Sequence, residues 1–190
     1  IDLPDDNDIS SDYYAEVGNT GHFEPKRHWC LVGEITDVIH SRLVSIRTRF
    51  DEAVMVNLTC DNEDASSHSH QGALAVGSTM CVLYPHFHFH WPEKGIRTEC
   101  SSRVMVFPAS YEELSAEAAC HFQAVGCVVC RSRTRTLICS CCKLMRYCSQ
   151  ECQRKHWKSG HKKLCEQGKK LQSLAALDFD AFHGYHGWST

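Results

Sequence analysis

The sequence predicts a mixed fold: an N-terminal, mainly antiparallel β domain, then a connecting helix, then a small cysteine-rich unit with short helices. Three observations predict it. Alternating, β-branched runs fill the first half of the chain. Eight of the 13 cysteines fall between Cys127 and Cys165. The net charge of -3 over 190 residues is also divided, with 8 Lys and Arg against 19 Asp and Glu in residues 1–126, and 12 against 2 in residues 127–172. Opposite signs in two blocks point to two physical units. With 43% hydrophobic and 23% charged residues, collagen-like and wholly disordered chains are excluded. No apolar run approaches the ~18 residues of a membrane span, so no membrane segment is expected. The acidic first twenty residues lack the apolar stretch of a secretory signal.

Residues 1–20 are rich in Asp with Ser10, Ser11, Gly18 and Asn19, and read as a flexible acidic lead-in. The β domain follows over residues 21–109. Its expected strands are Trp29–His40, Leu43–Phe50, Ala53–Thr59, Ser78–Trp91 and Ile96–Phe107. Val44, Ile46, Thr48 and Phe50 share one face of the second. Asp61–Gly77, polar and Gly-containing, reads as a loop. About five strands with one long insertion suggest a small barrel or sandwich, with an OB-like form among the options. OB-like barrels bind nucleic acid on basic faces, and this domain is acidic. Residues 110–126 read as a connecting helix. Ser110 and Glu113 form a capping-box pattern, Leu114, Ala118 and Phe122 recur at helical spacing, and Gly126 ends the run.

The cysteine cluster occupies residues 127–166. It reads Cys127-x2-Cys130, Cys139-x2-Cys142, Cys148-x3-Cys152 and His161-x3-Cys165. Four pairs of thiolate and imidazole donors make two tetrahedral sites, and zinc is the metal that favours them. The x2 pairs suit tight turns that aim two sulfurs at one point. The x3 pairs are i, i+4 and share a helix face. Ser149 is placed to cap a helix from Gln150. Apart from the ligands, residues 127–165 hold nine large apolar residues, too small a core without metal. Two structural Zn2+ ions are therefore expected, each supplying on the order of 10 kcal/mol of folding free energy. Sites filled by protein donors leave no open position for an activated water, so the metals are structural and no catalytic residue is assigned. The spacing leaves open whether the pairs are used in sequence or interleave. Cys141 has no slot in this scheme.

Residues 127–165 resemble the MYND zinc finger. The resemblance is carried by Tyr147-Cys148-Ser149-Gln150-Glu151-Cys152-Gln153, then Trp157, Gly160-His161-Lys162 and Cys165. It implies interleaved sites: Cys127, Cys130, Cys148 and Cys152 on one zinc, and Cys139, Cys142, His161 and Cys165 on the other. MYND fingers are generally protein-interaction modules, and several bind short proline-containing peptides. The resemblance places Gln153 and Trp157 in that peptide-binding role; packing between the last two helices is the competing use of Trp157. The implied function is a non-enzymatic adaptor for protein partners, with transcriptional regulation as one setting.

Two motifs lie outside the finger. In His86-Phe87-His88-Phe89-His90-Trp91 a strand puts the three His on one face and the aromatics on the other. Leu83, Phe87 and Phe89 fit a core face, leaving the His towards solvent, and Pro85 marks an edge or bulge. A metal-dependent enzyme using His86, His88 and His90 is one alternative function. Nucleic-acid binding through the basic finger is the other, and it is disfavoured because the ligation pattern resembles interaction fingers more than base-reading ones; part of the basic charge also serves the thiolates of the metal sites. Residues 167–190 read as a C-terminal helix and aromatic tail, with Phe179, Phe182, Tyr185 and Trp188 at every third position, suited to docking on the chain's own surface or, alternatively, on a partner or a second copy. The odd cysteine total and the lack of a visible secretory signal argue against a secreted disulfide framework, and the family resemblance implies an intracellular setting, in nucleus or cytoplasm.

Overall fold

The structure, a computed structural model, describes residues 3, 10–58, 74–88, 95–98, 100–123, 126–134 and 137–188. Most of the Asp61–Gly77 loop, part of the N-terminal lead-in, and Phe89, His90 and Trp91 lie outside the described residues. The chain divides into two compact units: Ile1–Pro108 with Leu177–Thr190, and Ala109–Ala176.

The first unit opens with a hairpin of β1 (Tyr14–Glu16) and β2 (Phe23–Pro25); its first strand lies inside residues 1–20, the stretch expected to be loose. Its main sheet has seven strands: β3 (Cys30–His40), β4 (Leu43–Thr48), β5 (Ala53–Asn57), β6 (Thr79–Leu83), β7 (His86–His88), β8 (Gly95–Arg97) and β9 (Val104–Phe107). Their order is β7-β8-β5-β4-β3-β6-β9. All neighbours are antiparallel except β5 and β8, which run parallel. Among the described residues β7 and β9 are the two edges, so the sheet does not close into a barrel.

Two expected strands are each split. Tyr84 adopts a positive φ of 52° ahead of Pro85, which turns the chain out of β6 and starts β7 on the far edge. Ser101–Arg103 forms a 3-10 turn between β8 and β9. The alternation of β4 works as expected at Val44, Ile46 and Thr48, all buried, whereas Phe50 sits in the turn after the strand and is exposed. Val44 and Ile46 join Leu31, Ile35, Val54, Val56, Met80, Val82 and Phe87 in the core, each contributing roughly 1.5–3 kcal/mol by burial.

The aromatic tail docks on this same unit. His186 N donates to Tyr84 Oη (3.0 Å) and Trp188 N to Ser102 O (2.5 Å). Phe182 contacts the rings of His28 and Tyr84, and Trp188 is buried.

The second unit begins with α1 (Tyr111–Gln123). The capping box forms in both directions: Glu113 N donates to Ser110 Oγ (3.2 Å) and Ser110 N to Glu113 Oε2 (3.0 Å). Then come a two-stranded ribbon of β10 (Leu137–Ile138) and β11 (Arg146–Tyr147), α2 (Gln150–His156), a wider turn Trp157–His161, α3 (Lys162–Cys165) and α4 (Gly168–Ala175). No helix among the described residues is long and apolar enough to cross a membrane.

Candidate metal centre

The two x2 pairs sit in matching turns. Arg131 N donates to Cys127 O (2.8 Å) and Lys143 N to Cys139 O (3.0 Å). The residue after each second cysteine takes the left-handed conformation, Arg131 at φ 62° and Lys143 at φ 58°. The x3 pairs ride on helices. Ser149 caps α2, its side chain accepting from Cys152 N (3.3 Å). Gly160, at φ 140°, breaks regular geometry just before His161. Two other glycines are required by close approach. A Cβ on Gly126 would lie 2.3 Å from Ser132 O, and one on Gly168 would lie 2.4 Å from Cys142 Cβ.

These turns and helices bring eight donors into two groups. Cys127, Cys130, Cys148 and Cys152 form one; Cys139, Cys142, His161 and Cys165 form the other, and in each the ligand atoms lie within 4.8 Å of one another. The pairs therefore interleave. In the first group Sγ–Sγ distances are 3.4 Å (Cys130–Cys148) and 3.5 Å (Cys148–Cys152). In the second, Cys139 and Cys165 Sγ are 3.6 Å apart, and Cys142 Sγ is 3.7 Å from His161 Nε2. A zinc tetrahedron with ~2.3 Å arms has edges of ~3.8 Å, whereas a disulfide needs ~2.05 Å. The cysteines are free thiols. The donor chemistry and spacing fit two structural zinc ions. The second group is buried throughout; the first exposes Cys130. Cys141 is exposed and belongs to neither group.

Electrostatics fit the same reading. Burial pushes the Cys127 thiol up, but N–H groups of Cys130, Cys148 and Val129 outweigh it and leave it at about 6. Cys142 also lies at about 6, where His161 and the Leu144 and Met145 N–H groups overcome burial. Cys148 goes the other way, to about 12, through its contacts with Cys130 and Cys152. Packed thiols cannot all ionise at neutral pH, and a dication removes that conflict.

A side chain that sequence reasoning passed over completes the second site. Glu117 of α1 is buried, and its Oε1 accepts from His161 Nδ1 at 2.5 Å. That fixes Nδ1 as the protonated nitrogen and leaves Nε2 facing the thiolates, the carboxylate–histidine arrangement common around zinc. His156 Nε2 lies 3.7 Å from Glu117 Oε2, and Tyr147 Oη is 3.0 Å from His156 Nδ1. The signal was its position three residues after Leu114, inside the buried stripe of α1. Lys163 Nζ also bonds Glu113 (2.7 Å). So α1 contributes to the finger, and α4 packs on it through Gly168 and Leu171.

Of the two residues given a peptide-binding role, Gln153 is half-buried. Trp157 is 40% exposed, with its ring edge-on to His161 at 5.9 Å. His86 and His88 lie in the other unit. Among the described residues they belong to no group of three or more potential metal ligands, and His90 lies outside.

The model of the MYND finger family matches residues 127–165. Relatives match over short stretches. Ubiquitin carboxyl-terminal hydrolase 17 of Arabidopsis thaliana is 41% identical over 58 residues, 29% of this chain and 8% of that protein. Ubiquitin C-terminal hydrolase 15 of Oryza sativa subsp. japonica is 49% identical over 41 residues, 22% of this chain and 4% of that protein. Programmed cell death protein 2 of Mus musculus is 35% identical over 69 residues, 35% of this chain and 20% of that protein. The matched stretch thus spans a fifth or less of each of these relatives. With its eight donors in two interleaved clusters and its family match over the same residues, the segment 127–165 is a MYND-type zinc finger.

Proposed function

We propose that this chain is a non-enzymatic adaptor whose MYND finger recognises short, proline-containing segments of protein partners. MYND fingers are protein-interaction modules. The observation that carries the reading is Trp157: a large ring, 40% exposed, held edge-on against a zinc ligand. A rigid aromatic that keeps apolar surface in water is the usual anchor of a recognition patch. Gln153 lies four residues earlier, on the same side of the helical segment, and adds a polar handle. Leu137 and Ile138 of β10 are also exposed. The zinc ions act only through the fold, because every coordination position has a protein donor. Free thiols in both clusters suit a reducing, intracellular compartment.

Titrating proline-rich peptides against the zinc-loaded chain tests this. Saturable binding that Trp157→Ala weakens at least about tenfold, with zinc content unchanged, is the expected result. Absence of binding by the wild-type chain, or equal binding by Trp157→Ala, overturns it.

A further inference from the structure

Two motifs that the finger leaves unexplained, the histidine strand and the aromatic tail, meet at one cavity in the β unit. It has a volume of about 330 Å³, and His86, His88, Arg97, Arg103, Tyr84 and Tyr185 line it. We propose that this cavity binds a small aromatic phosphate monoester, with the phosphate on Arg97 and Arg103 and the planar group against Tyr185, which the buried Tyr84 ring backs edge-on.

The charge argument comes first. The unit as a whole is acidic, with 18 Asp and Glu against 8 Lys and Arg in residues 1–108 and 177–190. Two of those eight cations face this one cavity, and among the described residues no Asp or Glu lines it. A cationic hollow in an acidic body draws in anions and repels metal cations. The same two arginines that argue against a metal on His86 and His88 therefore argue for an anion. Guanidinium forks match phosphate oxygens in geometry as well as charge.

The aromatic half rests on different contacts. The guanidinium carbon of Arg103 lies 4.9 Å from the Tyr185 ring centre and 5.7 Å from that of Tyr84. Tyr84 and Tyr185 meet edge to face at 5.0 Å. Two rings held rigid around a cation make an apolar wall beside the charge. Tyr185 is 56% exposed at this wall, so it has ring surface left to cover a planar group. The tail positions it, through the bond from His186 N to Tyr84 Oη. The volume is at the low end of small-molecule sites, roughly 300–1,000 Å³, which limits the ligand to a single ring bearing one charged group or slightly more. None of this depends on the finger or on peptide binding.

The test uses the zinc-loaded full chain and phenyl phosphate as probe, titrated by calorimetry at fixed salt. One-site saturable binding is expected. Arg97→Gln and Arg103→Gln should each weaken it by about tenfold or more. Arg97→Lys, which keeps the charge, should weaken it less. Tyr185→Ala should lower affinity several-fold and bring phenyl phosphate close to inorganic phosphate. Near-ultraviolet dichroism of each variant shows whether it has folded. No saturation by phenyl phosphate, or affinity unchanged in both arginine variants, overturns the proposal. Equal affinity of the wild-type chain for inorganic phosphate and phenyl phosphate also overturns it and leaves an adventitious ion only. A third zinc equivalent that is lost in His88→Ala overturns it in favour of a metal site.

Discussion

Removing the Glu117 carboxylate isolates the contribution of α1 to the finger. In Glu117→Ala the Nδ1–H of His161 loses its acceptor. The His161 side chain is 1% exposed and Glu117 8%, so water does not readily replace the bond. A buried donor left unpaired costs about 1–3 kcal/mol, and outer-shell partners of metal-binding histidines are worth about 10–100-fold in metal affinity. The two magnitudes agree, since each tenfold is about 1.4 kcal/mol. The loss should fall on one ion only. Cys127, Cys130, Cys148 and Cys152 share no ligand with His161, so their zinc is an internal control. The assay is chelator competition on the full chain, with a chromophoric indicator counting released zinc. The variant should release its first equivalent about 10–100-fold more readily and its second as in wild type. Glu117→Gln keeps an acceptor oxygen and should fall between the two. Release of both ions as in wild type refutes the role of Glu117. Simultaneous loss of both ions, with collapse of near-ultraviolet dichroism, refutes its confinement to one site.

Three further outcomes follow from the same geometry. Gly168→Ala pushes a methyl to 2.4 Å from Cys142 Cβ; the expected cost is about 1–3 kcal/mol in stability, read as a lower Tm with weaker zinc retention. Zinc affinity should rise with pH. Loaded ligands carry no displaced protons, whereas without metal His161 holds its proton up to about 10, where Cys142 and Glu117 outweigh burial, and Cys165 is pushed up by burial and by Cys139. Protons are therefore bound by the free form, and between pH 6 and 8 log affinity at this site should climb by about two per pH unit; a flat profile contradicts this. Trp188→Ala empties a buried place on the β unit and should cost about 3 kcal/mol, measured by denaturant unfolding, with zinc content unchanged.

Much of the finger was legible because its information is local. Ligand spacings of two and three intervening residues dictate a turn or a helix face directly, and Ser149 and the Ser110–Glu113 pair announce helix starts within one turn. Interleaving was not readable from spacing, because it depends on how β10, β11 and α2 fold back; it came from the family resemblance. Glu117 was missed because its partner is 44 residues away, and the helical stripe of Leu114, Ala118 and Phe122 drew attention to apolar positions only. In the β unit, alternation located strands but not their ends. Tyr84 takes a left-handed conformation that its residue type does not advertise, and only Pro85 hinted at the break after β6. The early hairpin carried a readable signal: Gly18 and Gly21 both adopt positive φ between Tyr14–Glu16 and Phe23–Pro25, a turn pattern set in an otherwise acidic stretch. The order of seven strands, with one parallel neighbour, depends on long-range pairing that no local pattern encodes.

Native mass spectrometry of the freshly purified, unreduced chain tests the two-metal finger most directly. Two zinc ions per chain are expected, with the seven ligand cysteines as free thiols once the metal is removed. A chain that carries no zinc, or whose ligand sulfurs are joined in disulfides, contradicts the account.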